Sequence, residues 1–76
     1  RLLMSKKKEH YVEEKYPTLA EWVSTGSWVE IGTEYNDGLF ARALDEGGMV
    51  WEGTGYDTLD EAMQALDAGI GEWIGK

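Results

Sequence analysis

The chain has 76 residues, 15 acidic against seven basic side chains, a net charge of −8 and no cysteine. That length makes one domain with a small core, and the lack of cysteine excludes disulfides and thiolate metal sites. No apolar run reaches the roughly 20 residues of a membrane span, and residues 1–5 lack the apolar core of a secretory signal, so the expected setting is soluble and cytoplasmic, with no membrane partner.

Charge divides the chain. Residues 1–16 hold five bases (Arg1, Lys6, Lys7, Lys8, Lys15) against three acids, whereas residues 17–76 hold twelve acids against Arg42 and Lys76. An acidic body repels phosphate backbones and suits a basic partner; the same charge also serves solubility. Residues 1–16 have few apolar side chains and no periodic face, which predicts a mobile basic arm ahead of a single α+β domain over 17–76. Within the arm, Met4 reads as a start, with Arg1 to Leu3 an upstream extension. The Lys6 to Lys8 run can touch phosphates or an acidic surface, although three lysines are also ordinary for a solvated terminus. His10 has no second ligand at metal spacing.

Pro17 to Val23 predicts a short helix. Leu19, Trp22 and Val23 share one face, Thr18 and Glu21 are spaced as a capping box, and Gly26 ends it. Two turns are unstable alone in water, so Trp22 must dock it. From Ser27 the period changes to two. Val29, Ile31, Thr33 and Tyr35 alternate with Trp28, Glu30, Gly32 and Glu34, the pattern of a half-buried strand. Asn36-Asp37-Gly38 supplies a tight turn, and Leu39 to Leu44 returns with Leu39, Ala41 and Ala43 on one face and Phe40, Arg42 and Leu44 on the other. Asp45-Glu46-Gly47-Gly48 turns again. Met49 to Glu52 makes a third strand, and Gly53 to Gly55 loosens the chain.

Tyr56 to Gly75 is the long amphipathic helix. Leu59, Ala62, Met63, Leu66, Ile70, Trp73 and Ile74 recur at helical spacing, Thr58 and Glu61 form a capping box, and Gly75 is the expected stop. Gly69 and Gly71 each cost about 1 kcal/mol relative to alanine in a helix interior, so packing must hold the last turns. The expected architecture is a short N-terminal helix and a three-stranded antiparallel meander, with the C-terminal helix packed on one sheet face over the small Ala41 and Ala43.

The other sheet face carries Trp28, Phe40, Leu44 and Trp51 around Arg42, large and apolar where a one-sided sheet is polar. Either the short helix folds over them through Trp22, or they form an interface with a second copy, as a dimer, or with another protein.

Two resemblances follow from these pieces. Asn36-Asp37-Gly38-Leu39-Phe40-Ala41, followed by Tyr56-Asp57-Thr58-Leu59-Asp60-Glu61-Ala62-Met63-Gln64-Ala65-Leu66 and an Ile-Gly-Glu-Trp-Ile ending, resembles the HicB-like antitoxin domain over about residues 27–74. That resemblance implies a partial ribonuclease-H-like sheet with a helix, and a role in neutralising a small basic RNase toxin. The chain departs from the family in the Trp22 helix before the sheet and in lacking a Pro-Gly-Cys type turn before the third strand. It also has no DNA-binding segment after Lys76, so binding of a basic protein is expected rather than autoregulation. The order helix, three strands, helix is also similar to the double-stranded-RNA-binding topology. Its need for a basic patch is not met by a second helix bearing Asp60, Glu61, Asp67 and Glu72.

Chemistry is not encoded in any recognisable pattern. Ser24, Thr25 and Ser27 flank Gly26 with no histidine partner, which fits a polar turn rather than a nucleophile. Asp60-Glu61 and Asp45-Glu46 lack the alternating ligands of a calcium loop, and Gly53-Thr54-Gly55 lacks the lysine and spacing of a phosphate loop. The expectation is therefore no catalytic residue, no metal and no cofactor. The sequence points to a non-catalytic interaction module, antitoxin-like, that binds a basic protein. The alternative is a nucleic-acid-associated protein contacting phosphates through Lys6 to Lys8.

Overall fold

A computed structural model describes residues 13–34 and 38–75. In chain order these form α1 (Pro17–Ser24), β1 (Trp28–Glu34), β2 (Gly38–Asp45), β3 (Gly48–Tyr56) and α2 (Leu59–Ile74). The strands make an antiparallel sheet in the order β1-β2-β3. This is the α-β-β-β-α architecture that the periodicities predict. Of the arm expected over residues 1–16, residues 1–12, with Lys6 to Lys8 and His10, lie outside the described residues, and residues 13–15 are helical. Tyr16, grouped with that arm by composition, is buried in the core.

Local chemistry sets each boundary. Pro17 occupies the start of α1, where its missing N–H costs nothing and its fixed φ suits a helix. Because the helix begins there, Tyr16 is the N-cap, and the Thr18–Glu21 capping box does not form. The orphan N–H of Leu19 is satisfied from a distance instead, donating to Asp67 Oδ1 of α2 at 2.8 Å. At the first hairpin, residues 35–37 lie outside the described set, but Gly38 has the left-handed φ of +80° that the Asn-Asp-Gly signal predicts. Glycine is needed there twice over, since a Cβ would meet the Tyr56 carbonyl oxygen at 2.6 Å. At the second hairpin Asp45 pairs with Gly48, and Asp45 Oδ1 accepts from the Gly47 N–H at 2.8 Å, the side-chain mimic of a turn.

β3 runs four residues beyond the expected Glu52. It passes through its glycines by bulging rather than by leaving the sheet. Ala43 pairs with Trp51 and Leu44 with Met49, so Val50 is one extra residue; a second shift separates the pairs Leu39–Tyr56 and Ala41–Gly53. Tyr56 therefore ends a strand, and α2 begins at Leu59 rather than Tyr56. Thr58 caps it as expected, with Oγ1 accepting from the Glu61 N–H at 3.1 Å. The reciprocal bond shifts by one residue, the Glu61 carboxylate accepting from the Asp57 N–H at 2.9 Å. At the other end Gly75 closes the helix with right-handed angles, its N–H donating to the Gly71 carbonyl, so its freedom at positive φ is not used.

Both helices lie on one face of the sheet and run in the same direction. Tyr16 meets Asp60, Leu19 meets Asp67 and Trp22 meets Trp73, so equivalent ends lie together. The core joins Tyr16, Leu19 and Trp22 of the α1 segment to Ala41 and Ala43 of β2 and to Ala62, Leu66 and Ile70 of α2. The alanines of the middle strand are fully buried, as expected of residues chosen for closeness. Gly69 shows the same economy from the helix side: a Cβ there would overlap the Trp51 indole. Trp73, expected over the sheet, instead stands edge-on to Trp22 with ring centroids 5.8 Å apart and remains 46% exposed. It sits on the last turn of α2, where the partner on the inner layer is α1.

Candidate interaction surface

The outer face of the sheet is built of three cross-strand rows. The register aligns Trp28 with Leu44 and Leu44 with Met49, then Glu30 with Arg42 and Arg42 with Glu52, then Gly32 with Phe40. Directly opposed residues in an antiparallel pair project to the same side, so each row is a physical cluster.

The middle row is a charge relay across all three strands. Arg42 Nε bonds Glu52 Oε2 at 2.9 Å, and its Nη1 lies 3.5 Å from Glu30 Oε1. The hydrogen bond that Arg42 donates to Glu52, and after it the charges of Glu52 and Glu30, hold the guanidinium pKa above its ordinary value despite some desolvation. Arg42 also lies over Phe40, its guanidinium carbon 4.3 Å from the ring centroid. Beneath that ring is Gly32, where a Cβ would come within 2.8 Å of Phe40 Cε2. Phe40 is thus enclosed by its own neighbours. Two of the five interface candidates, Phe40 and Arg42, are satisfied within the sheet.

Trp51 departs from the sequence grouping. It pairs with Ala43, an inner-face residue, and packs beneath Gly69 against the core. The physical reason is the extra residue at Val50: strict alternation back from the turn would put Trp51 outside, and the bulge turns it inward.

Trp28 and Leu44 remain on the outer face, and the register adds Met49, which sequence reading passed over. Trp28 is 43% exposed and Met49 52% exposed, with Leu44 half-buried between them. The signal for Met49 was present, because a two-residue turn at Glu46-Gly47 sets it opposite Leu44. The short helix does not cover this row. Its Trp22 is buried on the helical side, with Nε1 donating to the Trp28 carbonyl at 3.0 Å. At the same end of the sheet, Thr25, Gly26 and Ser27 face Asp45, Glu46 and Gly47 across an open recess of about 380 Å³. The apolar row therefore borders an acid-lined hollow.

A second polar cluster ties the helices at the far end. The Tyr16 hydroxyl donates to Asp60 Oδ1, Lys15 Nζ lies 2.9 Å from the same oxygen, and Gln64 Nε2 donates to Asp60 Oδ2 at 2.7 Å. The Tyr16 bond, then Lys15, pushes the Asp60 carboxyl below its usual range, while the Asp60 bond, helped by burial, raises the Tyr16 phenol. This arrangement sets the angle between α1 and α2, with Asp60 spent on structure rather than offered to a ligand. Among the described residues no group of three or more His, Cys, Asp or Glu is placed to hold a metal ion, and no helix is long and apolar enough to cross a membrane.

No protein-family model matches the chain, and comparison with curated proteins and with solved structures likewise returns no match.

Proposed function

We propose that this domain is a non-catalytic protein-interaction module that takes a basic partner on the outer face of its sheet, in the manner of an antitoxin. The observation that carries this reading is the uncovered row Trp28–Leu44–Met49, set in a surface whose residues 17–76 include twelve acids and two bases. An exposed tryptophan and methionine beside carboxylates supply an apolar anchor and a charged surround, the division of labour found in interfaces. Glu30 and Glu52 share a single cation, so a cationic partner side chain gains a carboxylate without displacing Arg42 from both.

Affinity capture from the native cell tests this, using the wild-type chain and Trp28→Ala as paired baits. A basic protein retained by the first, lost from the second and released by salt supports the reading. Capture unaffected by Trp28→Ala, together with salt-sensitive binding to duplex RNA or DNA that disappears when residues 1–12 are removed, overturns it in favour of a nucleic-acid role for Lys6 to Lys8.

A further inference from the structure

The chain has no cysteine, so its three methionines hold all of its sulfur. Two of them, Met49 and Met63, lie among the described residues, and they stand in opposite settings. Met63, on α2, is half-buried and packs against the core. Met49 follows the Glu46-Gly47 turn, stands more than half exposed and lies directly opposite Leu44, so it forms one end of the outer row that begins at Trp28. A thioether needs no deprotonation to react with a peroxide, so access decides which of the two does.

We propose that Met49 is an oxidation site that takes one oxygen atom from a peroxide, and that its sulfoxide closes the apolar row to a partner. In that step the sulfur lone pair attacks a peroxide oxygen, and an S–O bond forms as the O–O bond breaks. The proton on the transferred oxygen passes to the departing one; the sulfur gives up two electrons and hydrogen peroxide is reduced to water. The effect on docking rests on the role proposed above for the Trp28–Leu44–Met49 row. A thioether is a soft apolar group that adapts to what covers it, whereas a sulfoxide is a polar acceptor that is costly to bury without a donor. The carboxylates of the adjoining turn, Asp45 and Glu46, are acceptors themselves and offer that oxygen nothing. Because Met49 lies on the outer face, away from the core, the change acts on the surface and leaves the fold in place. Sulfoxide reductases return the thioether, so the change is reversible.

Hydrogen peroxide added to the full chain tests this, with peptide mass mapping to locate each added oxygen and retention on a phenyl column to read the surface. Met49 is expected to gain oxygen before Met63, and retention is expected to fall as it does and to recover with the reductases for both sulfoxide epimers. The fall is expected in Met63→Leu and absent from Met49→Leu, each compared with its own untreated form; Met4 is common to both and cancels. Circular dichroism checks that the fold is kept. Met63 reacting first, or retention that falls equally in Met49→Leu, overturns the proposal. Partner capture separates it from the docking reading. Capture that needs Trp28 but survives full conversion of Met49 overturns the switch alone, and capture unaffected by Trp28→Ala overturns the docking reading while the oxidation site stands.

Discussion

The two faces of the sheet are made from neighbouring residues of the same strands and solve opposite problems. On the inner face, small side chains alternate with large ones so that two helices come close: Ala41, Ala43 and Gly69 give room, and Leu66, Ile70 and Trp51 fill it. On the outer face, the middle row neutralises itself through Arg42, Glu30 and Glu52, Phe40 is sandwiched between Arg42 and Gly32, and the Trp28–Leu44–Met49 row is left open. The difference teaches where this small domain keeps its stability and where it keeps surface to spare. Substitutions on the inner face are expected to act on folding, and those on the outer row on binding.

The largest effect is expected from Leu66→Ala, which leaves a cavity in the centre of the core and costs about 3 kcal/mol, read as a shift in urea midpoint. For a domain of this size that leaves little folded population, and a loss below about 1 kcal/mol would break the assignment of the core.

Gly69→Ala comes next and separates tertiary from local effects by its sign. Helix propensity alone would stabilise by about 1 kcal/mol, yet the new methyl overlaps the Trp51 indole, and the net result is expected to be a loss of about 1–2 kcal/mol. Placing Gly69→Ala in a Trp51→Leu background is expected to turn that loss into a gain. If it stays a loss, the helix is not held down against Trp51.

A smaller effect is expected from pH, acting at the Tyr16–Asp60 tie between the helices. Asp60 has a lowered folded pKa, so its contribution is present above about pH 4, the unfolded value, and is lost as the pH falls through the folded one. Tyr16 has a raised folded pKa, so its contribution is present below about pH 10 and is lost as the pH rises through the folded value. In Tyr16→Phe the alkaline loss is expected to vanish and the acid loss to shrink, as measured by thermal melts from pH 2 to 11. An unchanged alkaline limb would remove Tyr16 from this account.

The smallest effects on stability belong to the outer face. Arg42→Ala breaks two exposed ion pairs and a ring contact and is expected to lower the urea midpoint by less than Gly69→Ala does. Trp28→Ala is expected to change stability by no more than about 0.5 kcal/mol while abolishing partner capture. A Trp28→Ala variant that unfolds would erase the distinction between the faces.

Element order, strand alternation on β1 and β2, and the middle of the buried face of α2 at Ala62, Leu66 and Ile70 were legible in the chain, because each depends on a period of two or 3.6 that neighbouring residues carry themselves; Leu59, Trp73 and Ile74, on the same helical stripe, are exposed. Capping was legible where it is local, as at Thr58 and Glu61, and illegible at α1, where the carboxylate that takes the Leu19 N–H comes from Asp67 in another helix. The candidate surface was half legible. Trp28, Phe40, Arg42 and Leu44 were placed on the correct face, but whether each was covered depended on Gly32, Glu30 and Glu52 across the ladder. Trp51 was misplaced because a bulge has no signature in alternation.

Composition and periodicity, then, determined by themselves an acidic α-β-β-β-α domain with alanines under its long helix, since those are properties of single segments. Tertiary structure alone decided that both helices share one face, that Gly69 admits Trp51, and that Trp28, Leu44 and Met49 line up without cover. Each of these depends on register and close approach between segments distant in sequence, where a shift of one residue exchanges inside for outside.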